Sequence, residues 1–381
     1  MSVKKNELVD NFSFLDLLRA YYDCRRNKRR TISALQFELN MESNLIQLYH
    51  DLKSGKYKIG RSICFVVTKP KFREVWAANF RDRIVHHLIY NAISKRFYKR
   101  FIRDTYSCIP QRGTLSAAKQ LAKYTRSVTC NYKKKAYYLK ADLSNFFVSI
   151  NKDILYNLLS RYVKEEWILK LLLQVIYSNP KNNVFIKSKK QLFKKLPKHK
   201  SLWHTPDVKG LPIGNLTSQF FSNVYLDVMD KYIKEKLHCK YYCRYVDDFI
   251  ILADSPKFLC ECMYKIAEYI KENLHLELCP KKCYINSIIK GIDFVGYEIK
   301  PNRMFIRKNI IRRVFRAIKD WKNEYNRFEE TRLNEFYVSM NSYLGMMRHL
   351  DSYKIRSKIC NAVRSLFIYD NFEFSKMMLA Y

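Results

Sequence analysis

Apolar and polar positions follow two rhythms along this chain. Through residues 1 to about 55, apolar positions recur at helical spacing with basic residues between them, and the run Arg25–Arg30 separates two helical segments. Gly55 and Gly60 bracket a turn, after which Ser62–Val67 (SICFVV) reads as a strand. Ile84, Leu88, Ala92 and Ile93 predict a helix within Ala77–Arg103. Tyr137–Ala141 (YYLKA) is a short β-prone run that ends at an acid, with a helical stretch from Lys152. Trp167–Tyr177, interrupted by Lys170, reads as a core helix. Ser218, Phe221, Tyr225 and Met229 predict a helix over Asn215–Lys236. Two β-rich runs follow, Tyr241–Val246 and Phe249–Ala253, joined by Asp247-Asp248. A helix over Lys257–Leu274 and strands near Glu277–Ile285 and Phe294–Ile299 come next.

From Met304 onward the pattern is helical and basic. Residues 178–210 break both rhythms. They carry Lys187, Lys189, Lys190, Lys194, Lys195, Lys198 and Lys200 with three prolines, which predicts an exposed loop or insertion. The chain therefore divides into a helical basic extension (1–55), an α+β middle (56–300) and a helical, basic end (301–381).

Charge changes the picture. Lys and Arg total 71 against 35 acidic residues, for a formal net charge of +36. Self-repulsion on that scale favours a polyanionic partner, above all nucleic acid. An anionic membrane surface fits less well, because the basic residues spread over the whole chain, and no apolar run approaches the ~18 residues of a membrane span. The start, MSVKKNELVDNF, has no signal-peptide hydrophobic stretch, so the expected location is cytoplasmic. Eleven cysteines, mostly in apolar surroundings, suit a reducing compartment. The cluster Cys239, Cys243, Cys260, Cys262, Cys279 and Cys283 lacks the C-x2-C pairs of a zinc ribbon, and no His completes a finger pattern.

Candidate chemistry sits where β-runs end. In CRYVDDFIIL, Asp247 and Asp248 lie between two apolar runs, where a tight hairpin would put them at its tip. Like charges in such surroundings are unfavourable unless cations neutralise them. Asp142, in YLKADLSNFFVSI, also ends an apolar β-run. Read singly, the pair is an ordinary polar turn and Asp142 a helix N-cap. Together, on a strongly basic chain, the three acids suit hard divalent cations, Mg²⁺ first, acting on the attacking and leaving oxygens of an in-line displacement.

The ordered set ADLSNFF, GLPIGNLTSQFF, YVDDF, LCPKKC and FVGY closely resembles the palm of reverse transcriptases, from about residue 60 to 300. The resemblance implies an α+β fold of right-hand polymerase architecture. Fingers and a palm, an antiparallel sheet packed on helices, would span 56–300, and a helical thumb 301–381. It also implies RNA-directed DNA synthesis with two Mg²⁺ ions, Mn²⁺ being a substitute. Asp142 and Asp247 would hold both ions, with Asp248 beside them and the Leu143 carbonyl completing the second.

Further roles follow from the same likeness. Phe147 matches the bulky gate that leaves no room for a ribose 2′-hydroxyl, a role compatible with core packing. Arg73, in TKPKFREVW, matches the triphosphate-binding arginine, whose planar fork suits phosphate, with Lys69 or Lys71 as partner. Ile213, Gly214 and Gln219 open the helix beside the incoming nucleotide. Lys282, with Lys281 adjacent, matches the lysine that protonates leaving pyrophosphate. Phe294-Val295-Gly296-Tyr297 resembles the primer grip, where glycine allows close backbone approach.

One departure narrows the subtype. Most reverse transcriptases carry Gln-Gly where this chain has Ile213-Gly214. A pocket left with apolar contact alone discriminates less. The I-G-x-x-x-S-Q form, with FRDRIVHHLIYNAI and SYLGMMRHLDSYKIR, resembles the enzymes of diversity-generating retroelements, which copy adenines unfaithfully. Antiphage-defence reverse transcriptases, which work with a non-coding RNA, share much of the layout, and that likeness would imply repetitive or template-independent synthesis. The implied partners are template RNA, the RNA/DNA duplex, dNTPs, a dedicated non-coding RNA and a basic accessory protein, with no membrane. The reading from another class is a catalytically idle RNA-binding scaffold. The three clustered acids speak against it, since a pure binder has no reason to hold them near a polyanion.

Overall fold

The computed structural model describes residues 12–26, 28–29, 31–68, 71–324, 330–364, 367–369 and 377–379. Among them the strands, in chain order, are β1 (Ser62–Val67), β2 (Arg73–Ala77), β3 (Tyr137–Asp142), β4 (Val184–Ile186), β5 (Tyr241–Tyr245), β6 (Asp248–Ala253), β7 (Tyr284–Ser287), β8 (Ile292–Phe294), β9 (Tyr297–Lys300), β10 (Arg303–Ile306), β11 (Phe367–Tyr369) and β12 (Met377–Leu379).

The element that organises the molecule is a four-stranded antiparallel sheet of order β5-β6-β3-β7. Both of its faces are covered, which is why β6 reads FIIL without polar alternation. Successive residues face opposite sides of a strand. Leu139, Ala141, Phe249 and Ile251 therefore enter one core, and Tyr138, Ile250 and Leu252 enter a second. The first core receives the helices Phe80–Tyr98, Leu216–Lys231 and Pro256–Leu274; the second receives Thr114–Val128 and the small antiparallel sheet β10-β9-β8. The Pro256–Leu274 helix shows how local chemistry sets its limits. The Ser255 hydroxyl accepts from Phe258 N, Pro256 opens the first turn, and His275 closes the helix in the left-handed region. Leu216–Lys231 lies almost wholly inside the protein and continues into a wider π turn, Tyr232–Lys236.

The N-terminal helices Phe14–Arg25, Ile32–Glu38 and Met41–Lys53 pack into the first core through Leu17, Tyr21, Phe37, Leu45 and Leu48. A separate mixed sheet, β2-β1-β4, pairs β1 antiparallel to β2 and parallel to β4. No helix among the described residues is long and apolar enough to cross a membrane.

The structure corrects several sequence readings. The helix expected within Ala77–Arg103 is Phe80–Tyr98, because Ala77 belongs to β2. The single strand expected over Phe294–Ile299 is a hairpin, β8 to β9, turning at Val295 and Gly296, both at positive φ. Much of the strand expected over Glu277–Ile285 is a loop with a 3₁₀ turn at Pro280–Lys282. Nor is the end wholly helical: Arg303–Ile306 pairs with β9, and β11 pairs with β12.

The Lys-rich segment 178–210 is not a plain exposed loop. It supplies β4, a helical turn at Lys190–Lys194 and two 3₁₀ turns, docked by the buried Glu74 carboxylate. That carboxylate accepts from the Trp76 indole, Ser201 Oγ and Leu202 N. A buried acid with three donors is an anchor that lysine content cannot reveal.

Candidate active site

β5 and β6 form a hairpin in which Tyr245 pairs with Asp248, leaving Val246 and Asp247 as a two-residue turn. Val246 takes φ 57°, an uncommon conformation for a β-branched residue, so the turn must be held from outside. Two bonds hold it. Leu143 N donates to Asp247 O at 3.3 Å, and Arg244 Nη1 donates to Val246 O at 2.9 Å.

On the other side of β6, Asp142 is the register partner of Asp248. Directly opposed residues of an antiparallel pair have Cβ atoms about 4.5–5.5 Å apart. Two strand ends just over a hundred positions apart in sequence thus bring Asp142, Asp247 and Asp248 to one end of the sheet. Burial first, then the charge of Asp142, lifts the Asp247 carboxyl above the usual range. Asp248 is pushed up to about 6, chiefly by burial and further by Asp142 and Asp247, with Lys140 opposing. Lys140 Nζ lies 3.6 Å from Asp248 Oδ2 and donates to Asp293 O at 2.6 Å.

The Lys282 ammonium bonds Asp142 Oδ2. Burial alone would lower its pKa, but Asp142 and Asp247 outweigh that and raise it. The loop carrying Lys282 runs along the end of β3, where Cys279 N donates to Asp142 O at 2.7 Å and Ser144 N to Glu277 O at 2.8 Å.

The donor set fits divalent cations in one specific respect. Asp142 Oδ1 and Asp248 Oδ1 are buried and have no hydrogen-bond partner. Such carboxylate oxygens are rare in a finished interior and suit oxygen-seeking ions. Among the described residues no three Asp, Glu, His or Cys side chains are arranged so as to hold a metal ion by themselves. The position facing Asp142 Oδ2 is taken by Lys282, a cation of the chain's own.

Residues 66–299, more than half of the chain's 381, match the family Reverse transcriptase (RNA-dependent DNA polymerase). The chain belongs to the reverse transcriptase family. The COX1/OXI3 intron 2 protein of Saccharomyces cerevisiae is 23% identical over 325 aligned residues, covering 68% of this chain. This chain spans about a third (34%) of that relative's length. Protein YkfC of Escherichia coli is 20% identical over 303 residues, covering 71% of this chain and 74% of its own. The family uses divalent metal ions, an RNA template and dNTPs.

Around the reverse transcriptase acids, the remaining sequence-predicted residues fall as follows. Arg73 is exposed at the start of β2, close enough for its charge to oppose the rise at Asp247. Lys69 lies outside the described residues. Phe147 is half-buried one turn past Asp142, and its carbonyl accepts from Leu211 N at 2.8 Å. Ile213 is half-buried, and its carbonyl accepts from Trp76 N at 2.7 Å.

Gly214 lies against β2 at φ +134°, where an added Cβ would stand 2.7 Å from Trp76 O. Asn215 Oδ1 then accepts from Ala78 N at 3.0 Å. These bonds bring the Ile213-Gly214 segment alongside β2, the strand that Arg73 opens. Gln219 is exposed, one turn into its helix, where its amide oxygen lies 3.6 Å from Cys108 Sγ. Phe294 and Tyr297 are buried anchors of the β8–β9 hairpin, and Gly296 at φ +92° sits tightly against Met346 and Ile310.

Sequence reasoning missed what lies beneath the Val246-Asp247 turn. Arg244 and Asp230 are a fully buried pair, 0% and 1% exposed at their side chains. Arg244 Nε and Nη2 donate to Asp230 at 2.7 and 2.6 Å, and Nη1 to Asn223 Oδ1 at 3.2 Å. Tyr242 OH and Thr105 Oγ1 complete Asp230 at 2.6 and 2.8 Å. An arginine inside an apolar strand, next to YVDD, was the available clue. Its partner on the buried face of the Leu216–Lys231 helix was not legible.

Proposed function

We propose that this chain is an RNA-directed DNA polymerase that makes cDNA from a dedicated structured RNA, with Asp142, Asp247 and Asp248 at its centre. One observation carries the reading: Asp142 opposes Asp248 in register, Asp247 stands in the adjoining turn, and two carboxylate oxygens are buried without partners. Asp142 and Asp247, with Asp248 beside them and the Leu143 carbonyl, would hold two Mg²⁺ ions, which would supply Lewis-acid activation of the primer hydroxyl and neutralisation of the leaving phosphates.

The chain's own groups do the rest. Arg73 grips the triphosphate through its planar fork. Lys282, which bonds Asp142 in the free protein, is freed to protonate pyrophosphate. The Phe147 ring lies beneath the sugar and excludes a 2′-hydroxyl, which makes the product DNA. The Val295-Gly296 turn, anchored by Phe294 and Tyr297, brings bare backbone to the primer end. The 56–300 segment serves as fingers and palm and 301–381 as thumb.

The subtype follows from Ile213. An apolar side chain held beside the incoming nucleotide offers shape without hydrogen bonds, which supports low fidelity at template adenines, as in a diversity-generating retroelement. Primer extension on an RNA template with Mg²⁺ tests the whole reading. Incorporation by wild type and none by Asp247→Ala is expected; wild-type protein that extends nothing would leave only an RNA-binding scaffold. Ile213→Gln should lower misincorporation opposite adenine.

A further inference from the structure

From Trp167 to Pro206 the chain contains no Asp or Glu, and within it residues 187–200 hold seven lysines. All seven are exposed, and none pairs with a carboxylate among the described residues. This positive face is built rather than loose. Glu74 grips its far end, Trp203 packs on Trp76 with ring centroids 4.9 Å apart, and Leu196 and Leu202 are buried under it. At its near end Lys187 N donates to Cys64 O at 2.9 Å, and Ser188 Oγ accepts from Val66 N at 3.0 Å.

The same face holds an unusual apolar feature. β4 is an edge strand, and its Phe185 is 49% exposed. The Arg61 guanidinium lies 5.4 Å from the Phe185 ring centroid, fixed by a 3.2 Å bond to Val184 O. An exposed ring with a guanidinium over it, beside a run of lysines, is the combination that holds unpaired bases and their phosphates. An acidic peptide would satisfy the lysines but gives the ring nothing to stack on.

We propose that β4 and the 187–200 lobe form a binding surface for single-stranded RNA, separate from the carboxylate site and fixed to the strand that carries Arg73. The choice of RNA rests on the polymerase reading; the binding does not, and it is measured without synthesis. The probe is a fluorescein-labelled single-stranded oligouridylate, read by anisotropy with full-length Asp247→Ala protein, without nucleotides, over a salt series. Unlabelled polyglutamate serves as competitor.

Phe185→Ala should weaken binding on the order of tenfold, the loss of one stacked base. Lys187→Gln/Lys189→Gln/Lys190→Gln should reduce the slope of log affinity against log salt by about 2, at about 0.7 per phosphate contact on a single strand. All four substitutions are on exposed side chains, and equal thermal midpoints would show the fold intact. Unchanged affinity and slope in both variants would overturn the proposal. A reduced slope with no effect of Phe185→Ala would overturn the single-strand assignment in favour of charge alone. Polyglutamate displacing the oligonucleotide at equal charge would reassign the surface to acidic peptides.

Discussion

Asp230→Ala tests whether the buried pair beneath the YVDD turn holds that turn in place. The substitution leaves the Arg244 guanidinium fully buried with two of its charged bonds gone, and strands the hydroxyls of Tyr242 and Thr105. Removing one partner of a buried ion pair destabilises by about 3–5 kcal/mol, mostly through the uncompensated charge. Against a total of about 5–15 kcal/mol for a folded unit, that is a large fraction. Urea unfolding followed by tryptophan fluorescence should show the midpoint falling accordingly, at unchanged slope.

A second variant separates stability from function. Asp230→Leu/Arg244→Met replaces the pair by apolar groups and should recover most of the midpoint. It cannot restore the 2.9 Å bond from Arg244 Nη1 to Val246 O, so the strained turn loses one of its two restraints. Primer extension by that variant should stay well below wild type, with the loss in kcat rather than in KM for dNTP. An unfolding free energy for Asp230→Ala within about 1 kcal/mol of wild type would refute the energetic argument. Full activity in the double variant would show that Arg244 only fills space.

Three further outcomes follow from the structure. Mg²⁺ should raise the thermal midpoint of wild type, by about 2.7 kcal/mol of stabilisation at a hundredfold excess over Kd, and this gain should vanish in Asp142→Asn. Gly214→Ala forces a Cβ against Trp76 O at φ +134°, so destabilisation of about 1–3 kcal/mol and weaker dNTP binding are expected; an unchanged urea midpoint would contradict the close approach. His86, buried against the Thr217 hydroxyl at 2.7 Å, has its pKa depressed to about 3 by burial and by the neighbouring His87 and Arg83. Between pH 6.5 and 3 the unfolded chain then binds a proton that the folded one does not, so stability is full above 6.5 and declines as pH falls. Unfolding free energies measured against pH should decline less steeply in His86→Gln, by about 1.4 kcal/mol per pH unit; parallel curves would exclude the effect.

The sequence by itself determined the parts whose cause is local. YYLKAD and YVDDFIIL read as β-runs meeting acids because strand propensity and charge are properties of a few adjacent residues. Ser218, Phe221, Tyr225 and Met229 announced a helix for the same reason, since helical spacing is set by residues a turn apart; that the helix is buried on nearly every side was not legible. The positive charge and the family likeness were legible from residue identity alone.

Only the tertiary structure decided what pairs with what. The order β5-β6-β3-β7 sets Asp142 opposite Asp248, and no local rule chooses between that register and its neighbours. FVGY looked like continuous strand because its turn depends on positive φ at Val295 and Gly296, which strand propensity does not report. The Lys-rich segment looked loose because its anchor, Glu74, lies more than a hundred residues upstream. Asp230 looked like any helix acid until Arg244 met it in the interior. Buried charges and strained turns persist only where distant parts of the chain enclose them, and that enclosure is made by the fold as a whole.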